Sequence, residues 1–308
     1  MQFFEQNFLI CPGVEKCGTT SLHALLTGQP GLTVPSKKEL FFFNADFDKG
    51  EAFYAAHFED GMHAAPASGH RQTASWHVDI TPSYFRREKT LQRIRQSLSG
   101  NVRILVLIRN PIKRAFSFYW HDMVRHYLRG QKAANNFDAF LNCSFKSFFQ
   151  LRNDYYFTPY APMLKRWLAA FPDQCVVHVT EEVIADPKPL IRSVNALCDL
   201  TLAEDLAFPR ENTAMLETLS IFPKGLRRHT ADGTKVMPMR RQNAINAMAM
   251  QGTFTHFVPR ADAEAMFKAL FADDIRQCED ILGRDLSVLT EQSDLVSPIV
   301  KAYGRGER

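Results

Sequence analysis

The stretch Phe8-Leu9-Ile10-Cys11-Pro12-Gly13-Val14-Glu15-Lys16-Cys17-Gly18-Thr19-Thr20 sets the reading of the whole chain. Four apolar residues stopped by Pro12-Gly13 read as a short buried strand. Helical spacing then begins at Thr19, with Leu22, Leu25 and Leu26 on one face, and Gly28, Pro30 and Gly31 end it. A strand, a glycine-bounded loop and a helix N-terminus together make an anion site, because backbone N–H groups and the helix dipole both favour negative charge. Gly13 and Gly18 allow close backbone approach, and Lys16 adds a cation. Thr19 and Thr20 add hydroxyls, and Cys17, Gly18 and Ser21 complete the loop and the first turn. A phosphate-binding loop is expected here.

Working outward, the position of the lysine separates two chemistries. A Walker A loop places its lysine directly after the second glycine. Here Thr19 stands there, and the lysine lies inside the loop at 16. An ATP-dependent kinase of small molecules, the alternative reading, also needs a metal-binding aspartate near the end of a second strand. The clearest second strand, Val102–Ile108, ends in Arg109-Asn110. Arginine suits a second phosphate, which it grips bidentately. Pro111 opens a helix expected to run to about Leu128, and Ser117 shares a face of it with Lys113 and Arg114.

The rest of the chain repeats the alternation. A helix is expected over 159–171, a strand over Cys175–Val179 and a helix over 187–200. The fold class expected is α/β: a doubly wound, mainly parallel sheet flanked by helices. Residues 61–75 read as a surface loop and 261–283 as helix. Residues 203–260 give little pattern beyond a basic patch at Lys224, Arg227, Arg228 and His229. One domain over 1–290 and a polar tail over 291–308 are expected.

Composition sets the outer bounds. The 308 residues are 45% hydrophobic and 23% charged, enough to fill a core. A net charge of +4 fits an anionic ligand, but no Lys/Arg run points to nucleic acid. The six cysteines form no Cys-x-x-Cys pair and no zinc spacing, so no metal is expected. The N-terminal residues lack the pattern of a secretory leader, and no stretch has the length of a membrane span. A cytoplasmic enzyme is therefore expected; oligomeric state is not legible.

With both phosphate motifs in order, about ninety residues apart, the chain resembles the sulfotransferases that use 3′-phosphoadenosine 5′-phosphosulfate (PAPS). Within Gly13 to Thr20 the chain resembles their P-x-x-[GST]-G-T-[TS] loop, with Cys17 where the family usually has a small Gly, Ser or Thr. Arg109-Asn110-Pro111 through Arg114 and Ser117 resembles their R-[DN]-P-x-x-R-x-x-S motif. Lys38-Glu39-Leu40-Phe41-Phe42 and Thr81-Pro82-Ser83-Tyr84-Phe85 look like segments of the heparan sulfate N- and 3-O-sulfotransferase branch. Tyr160-Ala161-Pro162 through Phe171-Pro172, and Leu282-Gly283-Arg284-Asp285-Leu286, extend the likeness over roughly residues 5–290.

The resemblance implies a fold with a P-loop-like sheet and PAPS as donor, with 3′,5′-bisphosphoadenosine (PAP) as product. The first loop would hold the 5′-phosphosulfate, and Arg109 with Ser117 the 3′-phosphate. Lys224-Gly225 would match the loop that closes over that phosphate. Lys16 would stabilise charge on the bridging oxygen, and Glu39 would be the base, with His77 and Asp79 in reserve. One position departs from that branch, Ile80, which stands where its catalytic lysine is found; in another branch the position of Thr180 helps hold adenine. A glycan or small-molecule acceptor is expected, and Phe41–Phe43 and Phe145–Phe149 are candidates to line an apolar pocket.

Overall fold

The computed structural model describes residues 2–60, 75–119, 158–209, 228–229, 235–236 and 257–296. They fall into two compact units. The first comprises Met1–Asn110, Pro159–Pro209 and Ala272–Thr290, and the second Pro111–Thr158, Arg210–Phe271 and Glu291–Arg308.

The first unit holds a five-stranded sheet: β1 (Asn7–Gly13), β2 (Leu32–Thr33), β3 (Trp76–Ile80), β4 (Val102–Ile108) and β5 (Cys175–Val179). Their order is β2-β3-β1-β4-β5, and every pairing is parallel. Parallel strands covered on both faces should be continuously apolar, and residues 104–108 of β4 are all inaccessible to solvent. The chain lies to one side of β1 for β2 and β3, then crosses to the other for β4 and β5. The carboxyl end of β1 is therefore the switch point, where open α/β sheets leave a crevice.

Helix α1 (Thr19–Leu26) follows β1 directly. Helices α2 (Glu51–Glu59) and α3 (Glu88–Ser97) lie within the two connections that flank β3. The helix Ala161–Ala170 has no side chain of its own over its first turn. Asp274, from the helix Ala272–Leu282, accepts the N–H groups of Tyr160 at 2.7 Å and Ala161 at 2.9 Å instead. A carboxylate from far along the chain thus supplies a cap that neighbouring residues usually provide.

In the second unit, residues 111–119 are helical; the expected continuation to Leu128 lies outside the described residues. Arg228–His229 pairs with Lys235–Val236. Phe257–Val258 pairs with Leu295–Val296, so part of the expected polar tail is in a strand.

Candidate functional site

The loop after β1 is fixed from several sides. Val14 N–H donates to the Leu107 carbonyl at 2.8 Å, tying the loop to β4. Phe85 N–H donates to the Pro12 carbonyl at 2.8 Å, bringing the turn after β3 against Gly13. A Cβ at Gly13 would lie 2.7 Å from Phe85 Cβ and 2.9 Å from the Pro82 carbonyl, so glycine is required there. Lys16 and Gly18 turn the chain with φ of 66° and 82°. Gly18 is the N-cap of α1 and gives no side-chain hydrogen bond. The first turn, Thr19-Thr20-Ser21, therefore presents backbone donors that no helical carbonyl takes. Lys16, Gly18 and Thr20 are partly exposed, whereas the side chains of Cys17, Thr19 and Ser21 are buried. Cys17 thus fits the loop as a small buried residue, with its thiol 3.8 Å from the Tyr160 hydroxyl.

Arg109, at the end of β4, reaches the same loop. Its Nη1 donates to the Lys16 carbonyl at 3.1 Å. Its Nε faces Glu181 Oε1 at 3.7 Å, and Asn110 N–H donates to the same carboxylate at 3.2 Å. The Tyr160 hydroxyl donates to the Arg109 carbonyl at 2.7 Å. Thr180 stitches loop and strand together: its hydroxyl is shared between the carbonyls of Cys17, at 2.8 Å, and Ile108, at 2.9 Å. Sequence reasoning missed Glu181 and Tyr160. The signal for Glu181 was its place in the first turn of a helix leaving a strand end, where a carboxylate can meet a neighbouring arginine.

Glu39 lies on the segment before a single π-helical turn, Phe42–Asp46. Its carboxylate is one-third exposed and pairs with Lys38 Nζ at 2.8 Å. Glu39 and Phe41 are both left-handed, with φ of 64° and 57°, and Phe41 is exposed. Beneath this segment lies Asp79, wholly buried at the penultimate position of β3. It accepts three hydroxyl hydrogen bonds: Thr81 at 2.6 Å, Tyr54 at 3.0 Å and Tyr84 at 3.1 Å. Burial raises its pKa from 3.8 to about 6, against the opposing pull of those donors.

The other expected residues are distributed differently. His77 sits at the opposite end of β3 from the loop, in register with Phe8. Its ring packs on Phe3, Phe8 and Phe58, and its Nε2 hydrogen-bonds the Gln6 side chain. The structure therefore gives His77 a packing role in place of the expected reserve base. Ile80 is buried. Ser117 is partly buried on the helix of the second unit. Lys224, Gly225 and Phe145–Phe149 lie outside the described residues. Among the described residues, no group of three or more His, Cys, Asp or Glu side chains could hold a metal ion, and no helix is long and apolar enough to cross a membrane.

The sulfotransferase domain family matches residues 6–224. A membrane-associated sulfotransferase, kil1, of Dictyostelium discoideum is 31% identical over 113 residues, covering 37% of this chain and 22% of that protein. The human heparan sulfate glucosamine 3-O-sulfotransferase 3B1 is 28% identical over 181 residues, covering 57% of this chain and 41% of that protein. The chain thus spans less than half the length of these relatives. A solved sulfotransferase of Alicyclobacillus acidocaldarius shares the fold, with a TM-score of 0.56 at 22% identity, over 93% of this chain and 99% of that one.

Proposed function

The chain belongs to the sulfotransferase family, and on that premise we propose that it moves the sulfuryl group of PAPS to a hydroxyl or amine of a carbohydrate or small-metabolite acceptor, releasing PAP. The observation that carries this reading is the hydrogen bond from Arg109 Nη1 to the Lys16 carbonyl. It brings two cationic residues and an uncapped helix N-terminus together at the carboxyl end of the sheet, a pattern suited to a nucleotide with two separate phosphate groups.

In this reading the backbone N–H groups of Gly18, Thr19, Thr20 and Ser21 hold the 5′-phosphosulfate. Arg109 grips the 3′-phosphate. The bond between sulfur and the bridging oxygen breaks as the acceptor oxygen or nitrogen bonds to sulfur in line. Lys16 stabilises the charge left on the bridging oxygen, and the acceptor proton passes to Glu39. Relatives named as heparan sulfate N- and 3-O-sulfotransferases support a sugar amine or hydroxyl as acceptor.

Thermal stabilisation by PAP and by ATP with magnesium tests the donor. A ligand at a hundred times its dissociation constant adds about 2.7 kcal/mol of stability. Stabilisation by PAP is expected, and preference for ATP with magnesium would overturn the reading in favour of a kinase. Glu39→Gln should keep PAP stabilisation and lose PAP release from PAPS; retained release would remove Glu39 as base.

A further inference from the structure

Resting on that reading, we propose that Asp79 is the positioning residue for Glu39, acting through Thr81 and Tyr84 on the two backbone N–H groups that bracket the exposed Phe41. The evidence lies in how the hydrogen-bond donors and acceptors are arranged. An ionised carboxylate only accepts. With Asp79 ionised, the Thr81 and Tyr84 hydroxyls both spend their single protons on it. Their lone pairs are then left facing outward, and each accepts one N–H of the Glu39 segment. Leu40 N–H donates to Thr81 Oγ1 at 3.0 Å, and Phe43 N–H donates to the Tyr84 hydroxyl at 3.3 Å.

These two relays act where the backbone most needs support. Leu40 sits between Glu39 and Phe41, both left-handed and neither glycine. Each such residue is strained and persists only when its surroundings enforce it. The segment is also gripped beyond the relays. Arg93 Nη1 donates to the Phe43 carbonyl at 2.9 Å, and Asn44 Nδ2 to Ser83 Oγ at 2.8 Å. Thr81 N–H in turn donates to the Cys11 carbonyl at 3.1 Å, so the hub is anchored on β1, the strand that carries the phosphate loop. Asp79 therefore references Glu39 to the same strand end as Lys16. Serving as the base itself is excluded by its complete burial beneath the segment.

Asparagine at 79 keeps the shape but offers one acceptor oxygen and one amide donor, so the hydroxyl that meets the amide must turn its proton toward the N–H it accepts from, and that relay fails. Three variants separate the parts: Asp79→Asn, Thr81→Val and Tyr84→Phe. Hydrogen exchange should lose protection at Leu40 in Thr81→Val, at Phe43 in Tyr84→Phe, and at one of the two in Asp79→Asn. PAP release from PAPS, measured with water and with a desulfated heparan oligosaccharide as acceptors, should fall about a hundredfold in Asp79→Asn. PAP affinity should change less than about threefold, because the donor loop is untouched. In a Glu39→Gln background, Asp79→Asn should add nothing further, since it acts through Glu39. Independent, multiplicative losses would overturn the proposal, as would Leu40 and Phe43 amides that stay protected in Asp79→Asn. If Asp79→Asn does not fold, the two single-hydroxyl variants carry the same comparisons. Failure of the wild type to bind PAP would instead remove the donor assignment, and leave the exchange experiment to decide the relay.

Discussion

Raising the pH from 4 to 7 should destabilise the protein through Asp79 while stabilising it through His178. Burial lifts Asp79 from 3.8 to about 6, a little over two units, which at 1.36 kcal/mol per unit is about 3 kcal/mol. Between those values the folded state holds a proton that the unfolded state has released. The stability due to Asp79 is therefore full at low pH and lost as pH rises through about 6. Burial lowers His178 from 6.5 to about 4, with the nearby Arg284 adding to the effect, again about 3 kcal/mol. Here the unfolded state binds the extra proton, so stability is full above pH 6.5 and is lost as pH falls toward 4. The two slopes oppose, and the wild-type profile should be shallow across the window. Asp79→Asn removes one of them. Urea unfolding at pH 4, 5, 6 and 7 should show the variant gaining about 3 kcal/mol on the wild type between the ends of the series. A difference that stays constant with pH would refute the account, whatever its offset. The same numbers say that ionised Asp79 is a cost to the fold at neutral pH.

Gly13→Ala should destabilise the protein by about 1–3 kcal/mol in urea unfolding, because its methyl group meets Phe85 Cβ at 2.7 Å and the Pro82 carbonyl at 2.9 Å. Arg109→Ala should weaken PAP binding by about 3 kcal/mol, roughly a hundredfold in Kd by calorimetry, through loss of charge-assisted hydrogen bonds to phosphate. Thr180→Val keeps the volume but strips the shared hydroxyl from the Cys17 and Ile108 carbonyls. It should cost about 1–3 kcal/mol of stability and speed hydrogen exchange in the loop.

The sequence by itself determined the strand, loop and helix around Gly13–Thr20, because an apolar run, two glycines and helical spacing are local signals. It also determined the parallel sheet, through the continuous aliphatic run Val102–Ile108, and it placed Arg109 at the end of that strand. The tertiary structure decided what no local pattern encodes. It placed Glu181 on Arg109 and Asp274 over the start of a helix more than a hundred residues away. It sent His77 into an aromatic cluster at the far end of β3, since period-two alternation fixes a side chain's face but not which end of the sheet holds the chemistry. It buried Asp79 completely and surrounded it with three donating hydroxyls. In sequence a carboxylate near a strand end looks the same whether it reaches solvent or is closed over. Only packing settles that, by setting which donors surround it and how much water is left.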